Sequence, residues 1–178
     1  MRPGLKGVEV PHRSRAPLLS RHPVHVTLGL VPGIGYLRAY SRARAVEEAL
    51  REACERFGAR IVHYSIQGMH LHLIVEAEDA RALSKAMQGL CIRLAKRLNA
   101  LGKRHGRVFV DRYHAHQLRS RRETANAVRY VLANYRHHAR ESVPRGFRDP
   151  LSSAVAPLAE PRTWLLRVGW RMEPGDTG

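Results

Sequence analysis

Acidic residues are scarce in this chain: 15 Asp and Glu stand against 31 Lys and Arg, a formal net charge of +16. With a sequence pI near 11.2, that imbalance disfavours cationic partners and points to a polyanion, with nucleic acid as the default. Cysteine is equally rare. The two present, Cys54 and Cys91, fall within helix-like apolar patterns, which excludes a disulfide scaffold and suits reduced core residues of a cytosolic protein. No apolar run approaches the roughly 20 residues of a membrane-spanning helix. Residues 1–23 are basic and broken by prolines, without the apolar stretch of a secretory signal.

What is present is enough for one compact domain plus tails: 178 residues, 44% hydrophobic. Arginine dominates the positive charge and suits phosphate forks better than lysine. It is densest between Lys103 and Arg148, at Arg107, Arg112, Arg119, Arg121, Arg122, Arg129, Arg136 and Arg140.

Apolar periodicity sets out the elements. VHVTLGLV (24–31) alternates as a half-buried strand, and a helix over 41–57 carries Val46, Leu50, Ala53, Cys54 and Phe57, with Gly58 as a stop. RIVHYSIQ (60–67) puts Val62, Tyr64 and Ile66 opposite His63 and Ser65. Gly68 then turns the chain into MHLHLIVE, with Met69, Leu71, Leu73 and Val75 on the core side. Asp79 caps a helix with the stripe Leu83, Met87, Leu90, Cys91, Leu94, Leu98 and Leu101. A strand near 107–118 and a helix near 122–139 follow. The order predicts an α+β fold, a ferredoxin-like split βαβ sandwich with an antiparallel sheet, leaving the final helix for the sheet's other face. The division is a flexible basic arm (1–23), a main domain (24–140) and a loosely structured C-terminal appendage (141–178) with one anchored apolar patch.

Alternation also aims the histidines. Residues two apart on a strand share a face, so His70 and His72 point together away from the core side, as do His25, Thr27, His63 and Ser65. Paired imidazoles suit a metal; a solvated sheet face accounts for alternation but not for so many imidazoles. His114 and His116 form a second pair, among Arg112, Tyr113 and Gln117, and are assigned to phosphate contact. On the final helix Val128, Val131, Leu132 and Tyr135 make an apolar face, while Asn126, Tyr130, Asn134 and His137 make a polar ridge along its edge. Tyr130 and Asn134 are one turn apart. Packed on the open sheet face, this helix would bring a phenol and an amide to the imidazoles. Two imidazoles and an amide oxygen make an incomplete divalent site with room for a phosphate oxygen, and the phenol is a candidate nucleophile for a phosphodiester.

His70-Leu71-His72 resembles the His–hydrophobic–His motif of the HUH-superfamily single-strand nucleases, and RYVLAN, with Tyr130 and Asn134, resembles the tyrosine helix of their single-tyrosine transposases. Asparagine four residues after the tyrosine is nearer the REP-associated tyrosine transposases than the insertion-sequence members, where glutamine is usual. The resemblance spans Val24 to His138 and extends to VHVTL, GRVFVDRYH and DPLSS. Two departures stand out: Met69 where many relatives have asparagine, and NYRHH in place of an asparagine–proline–valine–arginine run.

The resemblance implies a Mg2+- or Mn2+-dependent transposase that nicks and rejoins single-stranded DNA, often at hairpins from palindromic repeats. Tyr130 would be the nucleophile, leaving a 5′-phosphotyrosine and a free 3′-hydroxyl. His70, His72 and Asn134 would hold the metal. A groove lined by Arg107, Arg112, His114, His116, Arg119, Arg121, Arg122 and Arg129 would bind the DNA. It further implies a cytoplasmic protein that joins the bacterial nucleoid when bound to DNA, acting as monomer or homodimer with no membrane partner. The alternative is a domesticated or non-catalytic protein that binds repeat hairpins or structured RNA. RNA-binding sheets of this kind stack bases on exposed strand aromatics; aromatics are sparse here, at 6%, and the open face carries histidines instead.

Overall fold

A computed structural model of the protein describes residues 17–138, 144 and 146–172, with the side chains of 136–138 outside that description. The expected basic arm falls outside it up to residue 16, as do Arg140 and the side chains of Arg136 and His137.

The fold is α+β, with a central antiparallel sheet and flanking helices. Five strands, β1 (Val24–Gly29), β2 (Glu55–Arg56), β3 (Ala59–Ile66), β4 (His70–Ala77) and β5 (His114–Gln117), lie in the order β2-β3-β4-β1-β5. Helices α1 (Tyr40–Ala53) and α2 (Ala80–Leu101) connect them, and α3 (Arg121–His138) follows β5. A short helix α4 (Trp164–Arg167) and a 3-10 turn (Gly169–Arg171) end the described chain.

Two apolar clusters divide the sheet's faces. The larger joins Val24, Val26, Leu28, Leu71, Leu73 and Val75 to Val46 and Leu50 of α1 and Met87, Leu90 and Leu94 of α2. The smaller joins Val62, Ile74 and Leu118 to Ala127, Val128 and Val131 of α3 and Leu166 of α4. Asp79 caps α2, its carboxylate accepting from Ala82 N at 2.7 Å.

Several sequence expectations shift. Val62 does not share a face with Tyr64 and Ile66: the register slips between Ile61 and His63, a bulge that reverses the alternation for one residue and turns Val62 toward α3. Phe57 is not in the helix stripe. The helix ends at Ala53, and Phe57 (φ 58) and Gly58 (φ 75) form the tight turn between β2 and β3, leaving the phenyl exposed. Two consecutive left-handed residues match the twist of a two-residue hairpin. Met69 is exposed because it precedes β4, where Gln67 N bonds His70 O to close the turn. Leu101 is exposed in the last turn of α2. The strand expected near 107–118 is shorter: residues 107–113 form a loop fastened to the end of β1 through Val31 N to Val108 O and Val110 N to Gly29 O, each near 3 Å, and regular pairing begins at His114.

The C-terminal segment runs along the outer edge of β3. Ile66 N donates to Leu151 O, Ser153 N to Tyr64 O, and Leu158 N to Val62 O. Glu76, buried, accepts from Arg162 N and from the amide and hydroxyl of Thr163, which starts α4. Leu166 is buried against α3 in this way. Among the described residues no helix is long and apolar enough to cross a membrane.

Candidate active site

The site lies on the face shared by β5, β1, β4 and α3. Antiparallel register sets Thr27 opposite His72 and Gly29 opposite His70 on one side of β1, and His25 opposite His116 and Thr27 opposite His114 on the other. Facing residues share a sheet face, so His25, His70 and His72 lie together as alternation predicts, and β5 adds His114 and His116 to the same imidazole surface.

His72 is its centre. Its Nδ1 lies 3.2 Å from His25 Nε2 and 3.3 Å from Thr27 Oγ1. Those contacts orient the ring through Nδ1, which makes Nε2 the nitrogen suited to an ion. The rings of His70 and His72 stand 4.9 Å apart and nearly perpendicular. Burial, and then the neighbouring His116 and His114, lower the His25 pKa to about 4, so this imidazole is neutral at ordinary pH. His63 sits farther along the face, its Nδ1 3.1 Å from Ser153 Oγ; burial and Arg171 lower its pKa to about 4 as well.

The helix α3 comes to this face because its apolar strip has somewhere to go. Ser120 precedes it and accepts from Glu123 N at 3.1 Å, while Glu123 accepts from Arg119 N at 2.6 Å. Val128 and Val131 are fully buried against Ile74 and Val62. Tyr130 lies at the strip's margin: its ring is 5.2 Å from that of His72 and 6.1 Å from that of His25, edge-on to both, and is 37% exposed. Asn126 is exposed, but Asn134 is completely buried. The expected polar ridge therefore divides: Asn126 stays at the surface and Asn134 is buried, while the side chain of His137 lies outside the described residues.

Asn134 bears on metal binding. Neither its amide oxygen nor its nitrogen has a hydrogen-bond partner among the described residues. A buried primary amide costs stability unless it is bonded, so a ligand to its oxygen fits the side chain. Among the described residues, no cluster of three or more His, Cys, Asp or Glu side chains is placed to hold a metal ion. The expected set of His70, His72 and Asn134 offers only two imidazoles, and its third donor would be an amide.

The basic residues divide by location. Arg119 and Arg122 are exposed around the start of α3, with Arg121 half-buried between them, and Arg129 is exposed next to Tyr130. His114 and His116 are exposed on β5, His116 Nε2 lying 3.9 Å from Glu123 Oε1. Arg107 holds its own loop, Nε donating to Phe109 O at 2.6 Å. Arg112, exposed, lines a cavity with Ser84, Met87 and Cys91 of α2.

Sequence reasoning missed Arg38. Its guanidinium forks onto Asp149 at 2.8 and 2.9 Å, donates to Ile66 O at 2.7 Å and lies 4.3 Å from the centre of the Tyr135 ring. One half-buried cation thus joins β3, α3 and the C-terminal segment. No periodic signal marks one arginine among many; the DPLSS run containing Asp149 was the available hint.

The chain matches the profile of the family described as "Transposase IS200 like" over residues 36–134, a span that contains His70, His72, Tyr130 and Asn134. No curated protein matches significantly. Among solved structures it is similar to a REP-associated tyrosine transposase bound to a REP hairpin, with TM-score 0.62 and 14% identity, covering 81% of this chain and 82% of that one; this is a likeness of fold.

Proposed function

The chain belongs to the IS200-like transposases, single-tyrosine members of the HUH superfamily, whose chemistry is nicking and strand transfer, and on that premise we propose that Tyr130 is the nucleophile and that His70, His72 and Asn134 hold its divalent metal. The phenolic oxygen of Tyr130 forms a bond to the scissile phosphorus and the P–O3′ bond breaks. The phenol gives up its proton, the departing oxygen ends as a 3′-hydroxyl, and the 5′ end stays on the protein as a phosphotyrosine. The bond energy is kept in that ester, so attack by another 3′-hydroxyl reverses the step and joins strands.

A bound Mg2+ or Mn2+ would polarise the phosphoryl oxygens as a Lewis acid. His25 and Thr27 orient the His72 ring, and Val128 and Val131 hold the helix that presents Tyr130. We read the architecture as the ferredoxin-like sandwich with the tyrosine helix on its second face, and the DNA as single-stranded, in hairpins from palindromic repeats. Arg119, Arg121, Arg122 and Arg129, with His114 and His116, would follow its backbone, while Arg107 and Arg112 would contact it from the preceding loop.

The observation that carries this reading is the 5.2 Å between the Tyr130 and His72 rings, across a separation of 58 positions in the chain. Labelled single-stranded hairpin DNA incubated with the protein and Mn2+ should yield a denaturation-resistant adduct, abolished by a chelator and by Tyr130→Phe. Tight binding of a cognate strand with no adduct would instead support a binding protein without catalysis.

A further inference from the structure

We propose that a cavity beside α3, closed by Tyr135 and Phe147, seats one unpaired nucleobase of the strand engaged at Tyr130; this rests on the catalytic role proposed for that tyrosine. The cavity measures about 240 Å³ and is lined by Arg129, Leu132, Ala133, Tyr135, Phe147 and Asp149. Arg129 adjoins Tyr130 in sequence and Ala133 lies one turn beyond it on a neighbouring strip of the helix, so the cavity opens close to the nucleophile without sharing its imidazole surface.

Its walls suit a flat heteroaromatic ring. The Tyr135 and Phe147 rings are 5.6 Å apart and tilted by 39°, so they pack on one another as one aromatic wall rather than as two sides of a slot. Phe147 is 39% exposed, so part of its ring is open to an incoming group. Tyr135 is fixed from behind by the Arg38 guanidinium, itself forked onto Asp149. That fork neutralises the one carboxylate lining the cavity, which disfavours a cation as the occupant. The remaining charge is exposed Arg129 at the wall, in a chain of net charge +16. Stacking surfaces beside an exposed guanidinium fit a base whose own phosphate reaches the arginine.

The test uses the full chain and a hairpin selected from a randomised pool for binding it. 2-Aminopurine is placed at successive unpaired positions of that hairpin. One position should be strongly quenched on binding; Phe147→Ala should restore its fluorescence and weaken binding about tenfold, while Phe147→Trp should preserve both, with thermal midpoints confirming that each variant is folded. If no quenched position responds to Phe147→Ala, or the variant binds as tightly as the parent, the base pocket is wrong. The Tyr130 adduct is scored in parallel. An adduct with no effect of Phe147 overturns the pocket alone, whereas Phe147-dependent quenching without any adduct keeps the pocket and overturns the catalytic reading.

Discussion

The two faces of one sheet make different use of the same strands. Toward α1 and α2, β1 and β4 present Val26, Leu28, Leu71 and Leu73, all essentially without solvent contact. Toward α3 the intervening residues are His25, Thr27, His70 and His72, and apolar anchorage comes from Ile74 and Val62 of the sheet with Leu118 and Leu166 beside them. The first face is a packed core and the second a polar surface fastened at one patch. The contrast teaches how the protein separates stability from chemistry: α3 is held by few apolar contacts, so its margin can stay polar where a substrate must enter.

Neighbours on β4 test this most sharply. His70→Ala should lower adduct formation more than about 100-fold, beyond the loss usual for residues that only support a metal ligand, while unfolding free energy changes by under about 1 kcal/mol. Leu71→Ala, one residue on, should cost about 2–5 kcal/mol of stability, yet its folded fraction should still form the adduct. Denaturant titrations beside gel-resolved adducts would show whether these effects separate; equal damage from both substitutions would erase the division of faces.

A smaller effect concerns His63, on the polar face but bonded to the C-terminal segment. Its folded pKa of about 4 lies below the ordinary 6.5. Folding therefore favours the neutral ring, and the associated stability is complete above pH 6.5 and lost as pH falls from there toward 4. A difference of that size corresponds to roughly 3 kcal/mol. Denaturation midpoints at pH 7.5, 5.5 and 4.5 should fall steeply for the parent and less for His63→Gln. His25, with a similarly lowered pKa, keeps part of the acid sensitivity in the variant. Identical pH profiles would show that His63 is not a source of the acid sensitivity.

The least effect is expected at the rim. Arg122→Ala and Arg119→Ala should each weaken hairpin binding modestly and reduce the slope of log affinity against log salt by about 1, leaving stability unchanged. A slope unaltered in both would place the phosphate path elsewhere.

Much of this was legible in the chain because period-2 alternation is local. It assigned His70 and His72 to one face and Leu71 and Leu73 to the other, and helical spacing put Tyr130 beside Asn134. It failed where one residue breaks the phase. The bulge at Val62 and the left-handed turn at Phe57 follow from pairing geometry between strands, which no single segment encodes. The polar ridge divided for a related reason: Asn134 is polar by type, yet its place on the helix buries it completely. The fork of Arg38 onto Asp149, 111 residues apart, leaves no local trace beyond the DPLSS run.

Taken alone, the chain determined which side chains could act together on each element, since backbone repeat and side-chain direction are properties of a few consecutive residues. Tertiary structure decided which elements meet: that β5 extends the imidazole surface of β1 and β4, that Val128 and Val131 seat α3 against Ile74, and that Tyr130 reaches His72. Those meetings depend on where apolar area can be buried between distant segments, and burial is a property of the assembled molecule.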